Sequence, residues 1–308
     1  MKRTITVCIF IALVIFQSDS NAQNQYRSRV TGNWNVPGTW EISTNSGSTW
    51  STSLTTYPTA DSAGVVSVRS GHTVTVPASP LIRIDQLSVL FGGRITISSG
   101  GTLSIVNGTG DDLSVENTGQ IDGTGNLWAN ASGAVISLNT GSSVSAPFTA
   151  KANVTIENRT SPFVAELFGN ATVDAGAILN TAAGGYTTKI YGNVINNGTM
   201  STGNASAAYN FAGNTVTNNG NINGSIVNFS DTTNLSGAGS WTGNEINFLA
   251  NSSVKLMNNI AVNSTSVVTA LQVNNGGFLD LNGNTLTLGA ATSSKALTVN
   301  GTGVIASL

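Results

Sequence analysis

The side chains in this sequence that are best suited to chemistry are few. The densest group of carboxylates comprises Asp111, Asp112, Glu116 and Asp122, and the chain has a single histidine, His72. A carboxylate pair could act as general acid and base on a glycosidic bond, and several carboxylate oxygens could hold a hard cation such as Ca²⁺. These residues therefore define two candidate sites, one catalytic and one for a metal.

The local spacing argues against catalysis by the carboxylates. Asp112 and Glu116 share the polar face of a segment whose apolar residues are Leu113 and Val115. In a strand they would lie about 13 Å apart, whereas glycosidase pairs lie roughly 5 to 9.5 Å apart. A neighbouring strand could still bring Asp122 close to either, so a carbohydrate-active enzyme stays an alternative. The spacing of an EF-hand is absent, so we predict no cofactor and keep Ca²⁺ at these four residues as the alternative.

His72 has the same parity as Val74 and Val76, which predicts an inward-facing, hydrogen-bonded structural residue. A catalytic base would need a nucleophile or substrate within reach. The sequence has no Gly-x-Ser-x-Gly elbow and no phosphate loop that ends in Gly-Lys-Ser/Thr. We therefore predict that the chain is not an enzyme.

The first 22 residues have the layout of a cleavable secretory signal. Lys2 and Arg3 precede an apolar run over residues 7–16, and the segment ends in Ala22. The run is too short to span a bilayer, which takes about 20 residues, so we predict no transmembrane segment after cleavage. Cleavage would also remove Cys8, the only cysteine, so the mature chain would form no disulfide. We predict a secreted protein that is extracellular or on the outer cell surface.

Charged residues are scarce. They make up 8% of the chain against roughly 25% in ordinary globular proteins, and the net charge is −2. Nucleic acid binding needs clustered Lys and Arg, so we predict no nucleic acid partner. Hydrophobic residues stay at 40%, which argues against disorder. Asn, Gly, Ser, Thr and β-branched residues replace the charged helix formers, so the composition favours strands.

Short apolar–polar–apolar triplets recur along the chain, and many are joined by a degenerate Val-x-Asn-x-Gly-x-apolar repeat. We interpret this repeat as a corner between two strands, because Asn tolerates turns and Gly reaches positive φ without strain. Copies cover residues 115–121, 194–200, 216–222 and 273–279. If the corners stack, their Asn side chains would form a structural hydrogen-bonded ladder. The residues concerned are Asn117, Asn196, Asn218 and Asn275.

A spacing near 22 residues between copies is typical of solenoids. We therefore predict an all-β parallel β-helix, or β-solenoid, with a right-handed coil and on the order of a dozen coils. Two β-sandwich domains are the second choice, because short strands also suit that fold. A propeller would need longer blades of about 40 residues.

Residues 23–78 differ from the rest and contain Trp34, Trp40 and Trp50. We predict that these side chains cap the first coil, since an uncovered solenoid end exposes its core and strand edges. The alternative is that the Trp rings stack on sugars as ligand-binding platforms. The predicted domains are thus a signal over residues 1–22, a cap over 23–78 and solenoid repeats over 79–308, which end in mid-repeat and suggest truncation.

The cap segment carries a resemblance. Gly32-Asn33-Trp34, Thr39-Trp40 and residues 71–76, Gly-His-Thr-Val-Thr-Val, resemble the opening segment of bacterial cell-surface proteins exported by the type IX secretion route. The resemblance covers residues 26–106 and implies a parallel β-helix at the surface of a Gram-negative cell, without implying an activity. The C-terminal sorting domain of such proteins is not present in this sequence.

The sequence thus favours a structural, adhesin-like solenoid whose polar Asn/Ser/Thr face meets extracellular glycans or neighbouring cell-surface components. Two alternatives stay open. One is a carbohydrate-active β-helix enzyme, a polysaccharide lyase or glycosidase, with its groove near residues 111–122. The other is an inert stalk of a longer surface protein.

Overall fold

Apolar–polar alternation over three to five residues gives strands with one buried face. In β4 (Val66–Val68) and β7 (Leu87–Val89), for example, the outer two residues are buried and the central serine is half-exposed. A computed structural model describes residues 24–61, 64–204, 206–243, 245–264, 269–289 and 295–307. Its strands form three long sheets, here named A, B and C.

The strands are numbered in chain order. Sheet A contains β1 (Gln25–Ser28), β3 (Trp40–Ser43), β4, β7, β10 (Leu113–Val115), β13 (Ala134–Leu138), β16 (Asn153–Glu157), β19 (Ile178–Thr181), β22 (Thr199–Thr202), β25 (Asn221–Asn223), β28 (Ser240–Gly243), β31 (Ile260–Ser264) and β34 (Leu286–Leu288). Sheet B contains β2 (Gly32–Asn33), β5 (Thr73–Val76), β8 (Arg94–Ile97), β11 (Gln120–Gly123), β14 (Ser143–Val144), β17 (Val164–Leu167), β20 (Thr187–Ile190), β23 (Ala208–Phe211), β26 (Ile226–Phe229), β29 (Glu245–Phe248), β32 (Thr269–Val273) and β35 (Lys295–Val299). Sheet C contains β6 (Ile82–Ile84), β9 (Thr102–Ile105), β12 (Asn126–Ala129), β15 (Phe148–Ala150), β18 (Ala171–Val173), β21 (Val194–Asn196), β24 (Thr215–Asn218), β27 (Thr232–Ser236), β30 (Ser253–Leu256), β33 (Phe278–Asp280) and β36 (Val304–Ala306).

Each turn of the chain, here called a coil, visits sheets A, B and C in order. From β4 onward, neighbouring strands of each sheet belong to successive coils and pair in parallel, as Leu113 does with Leu87 and Ile136. In the described part of the chain, the 11 strands of sheet C mark 11 coils. The parallel β-solenoid prediction is confirmed, and the two-sandwich alternative is wrong, because neighbouring strands are successive coils rather than hairpin partners.

The core is a column of stacked apolar side chains inside the three sheets. Equivalent positions of successive coils stack in register. Where these positions hold the same residue type, identical side chains form a column. In sheet B, Phe211, Phe229 and Phe248 are in register, with ring centroids 5.6 Å and 5.5 Å apart. All three rings are buried. This column supplies burial that a chain so poor in charge needs for stability.

The N-terminal end of the column is covered by the Trp-rich segment. The rings of Trp34 and Trp40 meet edge to face with centroids 4.9 Å apart, and neither ring is exposed. Their indole N–H groups donate to the carbonyls of Pro58 and Trp34, at 3.0 Å and 2.8 Å. Between them lies the single-turn 3₁₀ helix η1, Pro37–Thr39. No helix in the described ranges is long and apolar enough to cross a membrane.

Parallel stacking begins earlier in the chain than residue 79. β1 and β2 already pair in parallel with β4 and β5, while β3 adds an antiparallel strand on the outer edge of β1. The segment over residues 23–78 therefore contains both the cap and the first strands of the coil, because β4 and β5 pair with the next coil as later strands do.

The four copies of the Asn-x-Gly repeat lie at three different corners. Residues 194–200 and 216–222 both connect sheet C to sheet A, in adjacent coils, whereas 115–121 connect A to B and 273–279 connect B to C. Only Asn196 and Asn218 stack: the Asn196 amide donates to Asn218 Oδ1 at 2.8 Å, and both side chains are buried. The predicted single ladder is wrong for Asn117 and Asn275, which are exposed at the other two corners.

Glycine at these corners serves a different purpose from the predicted one. Gly198 and Gly220 do not have positive φ, and a Cβ there would lie 2.4 Å and 2.0 Å from a backbone carbonyl oxygen of the preceding coil. In the first copy the left-handed residue is Thr118, with φ 59°. Glycine is therefore required at Gly198 and Gly220 for close approach between coils.

We expect Asn196→Ala to destabilise the fold. The substitution removes the donor to the Asn218 side chain and to the Asn221 carbonyl, 3.0 Å away. A buried acceptor left unpaired costs about 1–3 kcal/mol, and urea unfolding followed by circular dichroism would measure it. Asn197→Ala is the matched control, because Asn197 stacks in the same way on Asn219 but on the exposed side. Equal losses in the two variants would contradict the buried ladder.

Candidate functional site

Asp112 and Asp111, which precede β10, have structural partners. Asp112 is buried, and its carboxylate accepts hydrogen bonds from the backbone N–H groups of Gly108 and Val135, the latter at 2.8 Å. It therefore holds a corner against the next coil. Asp111 points outward and pairs with Arg159 at 2.8 Å. The guanidinium of Arg159 also binds Glu157, whose pKa burial raises above its ordinary value, with Asp111 adding to the rise and Arg159 opposing it.

Glu116 and Asp122 are engaged elsewhere. Glu116 Oε2 accepts from the backbone N–H of Phe91 at 3.1 Å, in the preceding coil. Asp122 forms an ion pair with Arg94 of the preceding coil, which lies two positions out of register on the outer face of sheet B, because the in-register neighbour of Asp122 is Thr96. Across the residues that the structure describes, no three His, Cys, Asp or Glu side chains are placed to hold a metal ion. The Ca²⁺ alternative at Asp111, Asp112, Glu116 and Asp122 is thus wrong, because each carboxylate faces a different partner.

His72 lies at the corner before β5 and is half-buried rather than fully inside. Its Nδ1 is 2.8 Å from the hydroxyl oxygen of the buried Ser28, which also accepts from the backbone N–H of Arg69 at 2.9 Å. The hydroxyl proton of Ser28 is therefore free to point to the imidazole. The predicted hydrogen bond is present, but the inward position is wrong, because the strand alternation starts only after His72.

The three tryptophans of the cap are not equivalent. Trp34 and Trp40 have no exposed surface, so a sugar ring could not reach either indole, and ligand stacking at these two residues is wrong. Trp50 is half-buried, and the Arg27 guanidinium lies 3.9 Å from its ring centroid. This cation–π contact covers one face of the Trp50 ring. The burial of the indole pair is what a cap requires.

An open surface with repeated polar groups lies on the outer face of sheet C. Two outward rows run along the solenoid axis because coils stack in register. One row places Thr149, Thr172, Ile195 and Thr217 in successive coils. The other row, two residues earlier in each coil, consists of Asn126, Pro147, Asn170, Asn193 and Thr215. These residues line one concave depression, here called the polar groove.

Polar groups occur in most coils of the groove. Successive coils are about 4.8 Å apart, so Thr149 and Thr172, and likewise Asn170 and Asn193, are separated by about that distance, while Pro147 and Ile195 interrupt the two rows. Asn170 and Asn193 also hold the groove wall, since each Oδ1 accepts a backbone N–H from the following coil, at 2.9 Å and 3.1 Å. Their amide NH₂ groups are left to point outward. None of the lining residues is titratable, so the groove offers hydrogen-bonding groups but no acid or base.

One side of the groove is edged by a mixed group of side chains. Trp128 is in register with Thr149, and Lys151 lies with its ammonium 4.3 Å from the Trp128 ring centroid. Lys151 also pairs with Asp174 at 2.8 Å. The indole is half-buried, so part of its apolar surface stays accessible beside the threonine row. An aromatic face next to hydroxyl and amide groups is a common setting for recognition of small polar ligands.

The polar groove was missed by reasoning from the sequence. The signals that could have found it are the outward polar residue of each sheet C triplet and the Asn that precedes the triplet, as at Asn170 and Asn193. Coil lengths vary, so these positions can be aligned only when the strand pairing between successive coils is known. The Asn-x-Gly repeat alone does not give that pairing.

Comparison with known proteins adds no relative. No protein-family model matches this chain, and no curated protein sequence matches it.

We expect Asp112→Asn to weaken folding rather than to remove an activity. The amide NH₂ cannot accept the second backbone N–H, so one buried donor at Gly108 or Val135 loses its partner. The expected loss in unfolding free energy is about 1–3 kcal/mol. Asp111→Asn is the control, since its exposed ion pair is worth at most about 1 kcal/mol. Chemical denaturation of both variants measures the difference, and an unchanged midpoint for Asp112→Asn would contradict the structural role.

Proposed function

We propose that this chain is a secreted, cell-surface solenoid of structural and adhesin-like type, which binds neutral extracellular glycans along the polar groove. The observation that carries the proposal is the in-register row Thr149, Thr172, Ile195 and Thr217, in which three of four residues carry a hydroxyl, beside the row that contains Asn170 and Asn193. A linear glycan presents hydroxyl groups and apolar C–H surface at regular intervals, and a floor that offers hydroxyls and amides in several successive coils can bond to several sugar units at once.

The chemistry of the groove supports binding without turnover. Glycoside hydrolysis needs two carboxyl groups flanking the scissile bond, and none lines the groove. Asp112, which the enzyme alternative relied on, is occupied by two backbone N–H groups. We therefore propose a binding protein and rank the carbohydrate-active enzyme second. Many weak contacts spread over several coils favour avidity over tight binding at a single point.

We expect the mature chain to be retained on at least one insoluble neutral polysaccharide among cellulose, chitin and xylan. Because the groove is uncharged, retention should persist in about 0.5 M salt, which would screen an ionic interaction. The double substitution Thr149→Val/Thr172→Val removes two hydroxyls while keeping shape and strand preference, and should weaken retention about tenfold. Depletion of protein from solution at increasing polysaccharide concentration measures the affinity.

The matched control is Thr75→Val/Thr96→Val. These two threonines are also outward, half-exposed and in register in adjacent coils, but on sheet B. Retention should equal that of the parent protein. Equal weakening in both double variants, or no retention on any of the three polysaccharides, would contradict the proposed groove.

Export is tested separately from binding. In a Gram-negative host, we expect the protein to leave the cytoplasm and to begin at Gln23, because the apolar run over residues 7–16 and Ala22 form a cleavable signal. Mass spectrometry of the processed chain determines its first residue. Leu13→Arg interrupts the apolar run and should leave the precursor uncleaved in the cytoplasm. Cytoplasmic retention of the parent sequence with Met1 intact would contradict the proposed location.

A further inference from the structure

A short aromatic stack lies where sheet B ends, two residues before Asn170 and Asn193 of the polar groove on sheet C. Phe168 and Tyr191 directly follow the buried residues Leu167 and Ile190, which are in register in adjacent coils. Their rings are parallel to within 2°, with centroids 4.7 Å apart. That distance equals the spacing of coils, so the two rings form a ladder. A third ring of this ladder would occupy the equivalent position in an adjacent coil.

The two ends of this stack differ. Phe168 covers one face of the Tyr191 ring, and the Lys189 ammonium lies 4.3 Å from the ring centroid, over the other face. The Tyr191 hydroxyl donates to Glu166 at 2.6 Å, which fixes the ring. Phe168, by contrast, is 40% exposed. Its free face points toward the preceding coil, where the equivalent outward residue is Ser145.

Ser145 leaves a gap where a third ring of the ladder would be. The residue is small and exposed, and the register places it directly before Phe168, since Val144 pairs with Leu167. One coil earlier still, Asp122 lies in register with Ser145, and it forms an ion pair with Arg94, which belongs to the coil before that. The gap between the Phe168 ring and this ion pair, floored by Ser143 and Ser145, is here called the slot. It is one coil deep along the axis.

We propose that the slot binds a single pyranose ring whose substituents are equatorial, such as a β-glucoside. Such a ring presents flat C–H faces, which pack on an aromatic face as the Phe168–Tyr191 pair does, and its thickness suits a gap of one coil. Its equatorial hydroxyls point toward the rim, where Ser143 and Ser145 can donate or accept and the half-exposed guanidinium of Arg94 can donate.

The polar rim favours a sugar over an aromatic ligand. A phenol or indole could stack on Phe168 equally well, but it would leave the serine hydroxyls and the ion pair without hydrogen-bond partners at the edge of the slot. A sugar with an axial hydroxyl on one face, such as an α-mannoside, stacks less closely. The inference rests on the proposed role in glycan binding, yet it concerns residues at the end of sheet B rather than the threonine row of the groove.

The test uses the mature chain with methyl β-D-glucopyranoside as probe and saturation-transfer NMR as readout. Ser145→Phe fills the slot with the third ring of the ladder, and should abolish transfer to the sugar while leaving thermal unfolding unchanged or higher. Phe168→Ala should lower the transfer about fivefold, and Phe168→Tyr should keep it. Phe91→Ala, which removes another exposed phenylalanine, is the control and should have no effect.

The outcomes separate the slot from the groove. Transfer that persists in Ser145→Phe, or a phenol that binds while the glucoside does not, would overturn the slot. Thr149→Val/Thr172→Val leaves the slot intact, so it should keep the glucoside signal while weakening retention on a polysaccharide. Suppose that Thr149→Val/Thr172→Val loses retention on the polysaccharide, while Ser145→Phe keeps the full glucoside signal. This result would contradict the slot and leave the groove supported.

Discussion

Parallel, in-register hydrogen bonding between successive coils is the constraint on which the rest of the structure depends. Each short strand has its backbone groups satisfied only by the coils before and after it, because three to five residues cannot form a stable unit alone. The register then decides which side chains stack. Inside, it aligns columns such as Phe211, Phe229 and Phe248. The same constraint requires a cover at the first coil, which Trp34 and Trp40 supply.

The surfaces follow from this same register. An outward residue is repeated about 4.8 Å away whenever the next coil has a similar triplet, so the solenoid turns short sequence similarities into rows. Thr149 and Thr172 form part of one row on sheet C, and Phe168 and Tyr191 form a two-ring ladder on sheet B. In our two proposals, the row binds an extended ligand, whereas the end of the two-ring ladder binds a single ring. Both proposals therefore depend on stacking geometry rather than on reactive groups.

Much of the fold could be predicted from the sequence because its cause is local. Alternation such as Leu113-Ser114-Val115 specifies a strand with one buried face, and the recurrence of such triplets near 22 residues specifies coils. Corner identity could not be predicted. The repeat around Asn196 resembles the repeat around Asn117, yet the two lie at different corners, because variable coil lengths shift which sheets each copy joins.

The candidate site was less predictable, since its partners come from distant parts of the chain. The carboxylates looked like a cluster only in sequence. Asp112 binds the backbone of Val135, and Asp111 binds Arg159, so each is committed to a different later coil. His72 illustrates a smaller error. Counting back two residues from the buried Val74 predicted an inward side chain at His72, but the regular strand begins only at Thr73.

The distance between spin labels along one outward row tests the account most directly. Residues 23–308 contain no cysteine, so pairs of labels can be placed on this segment by substitution at Thr73, Lys189 and Gln272, which belong to one outward row of sheet B. The account predicts separations of about 24 Å for Thr73 to Lys189 and about 43 Å for Thr73 to Gln272, one strand spacing for each coil. Separations that fail to grow with the number of coils between the labels would contradict the stacked solenoid.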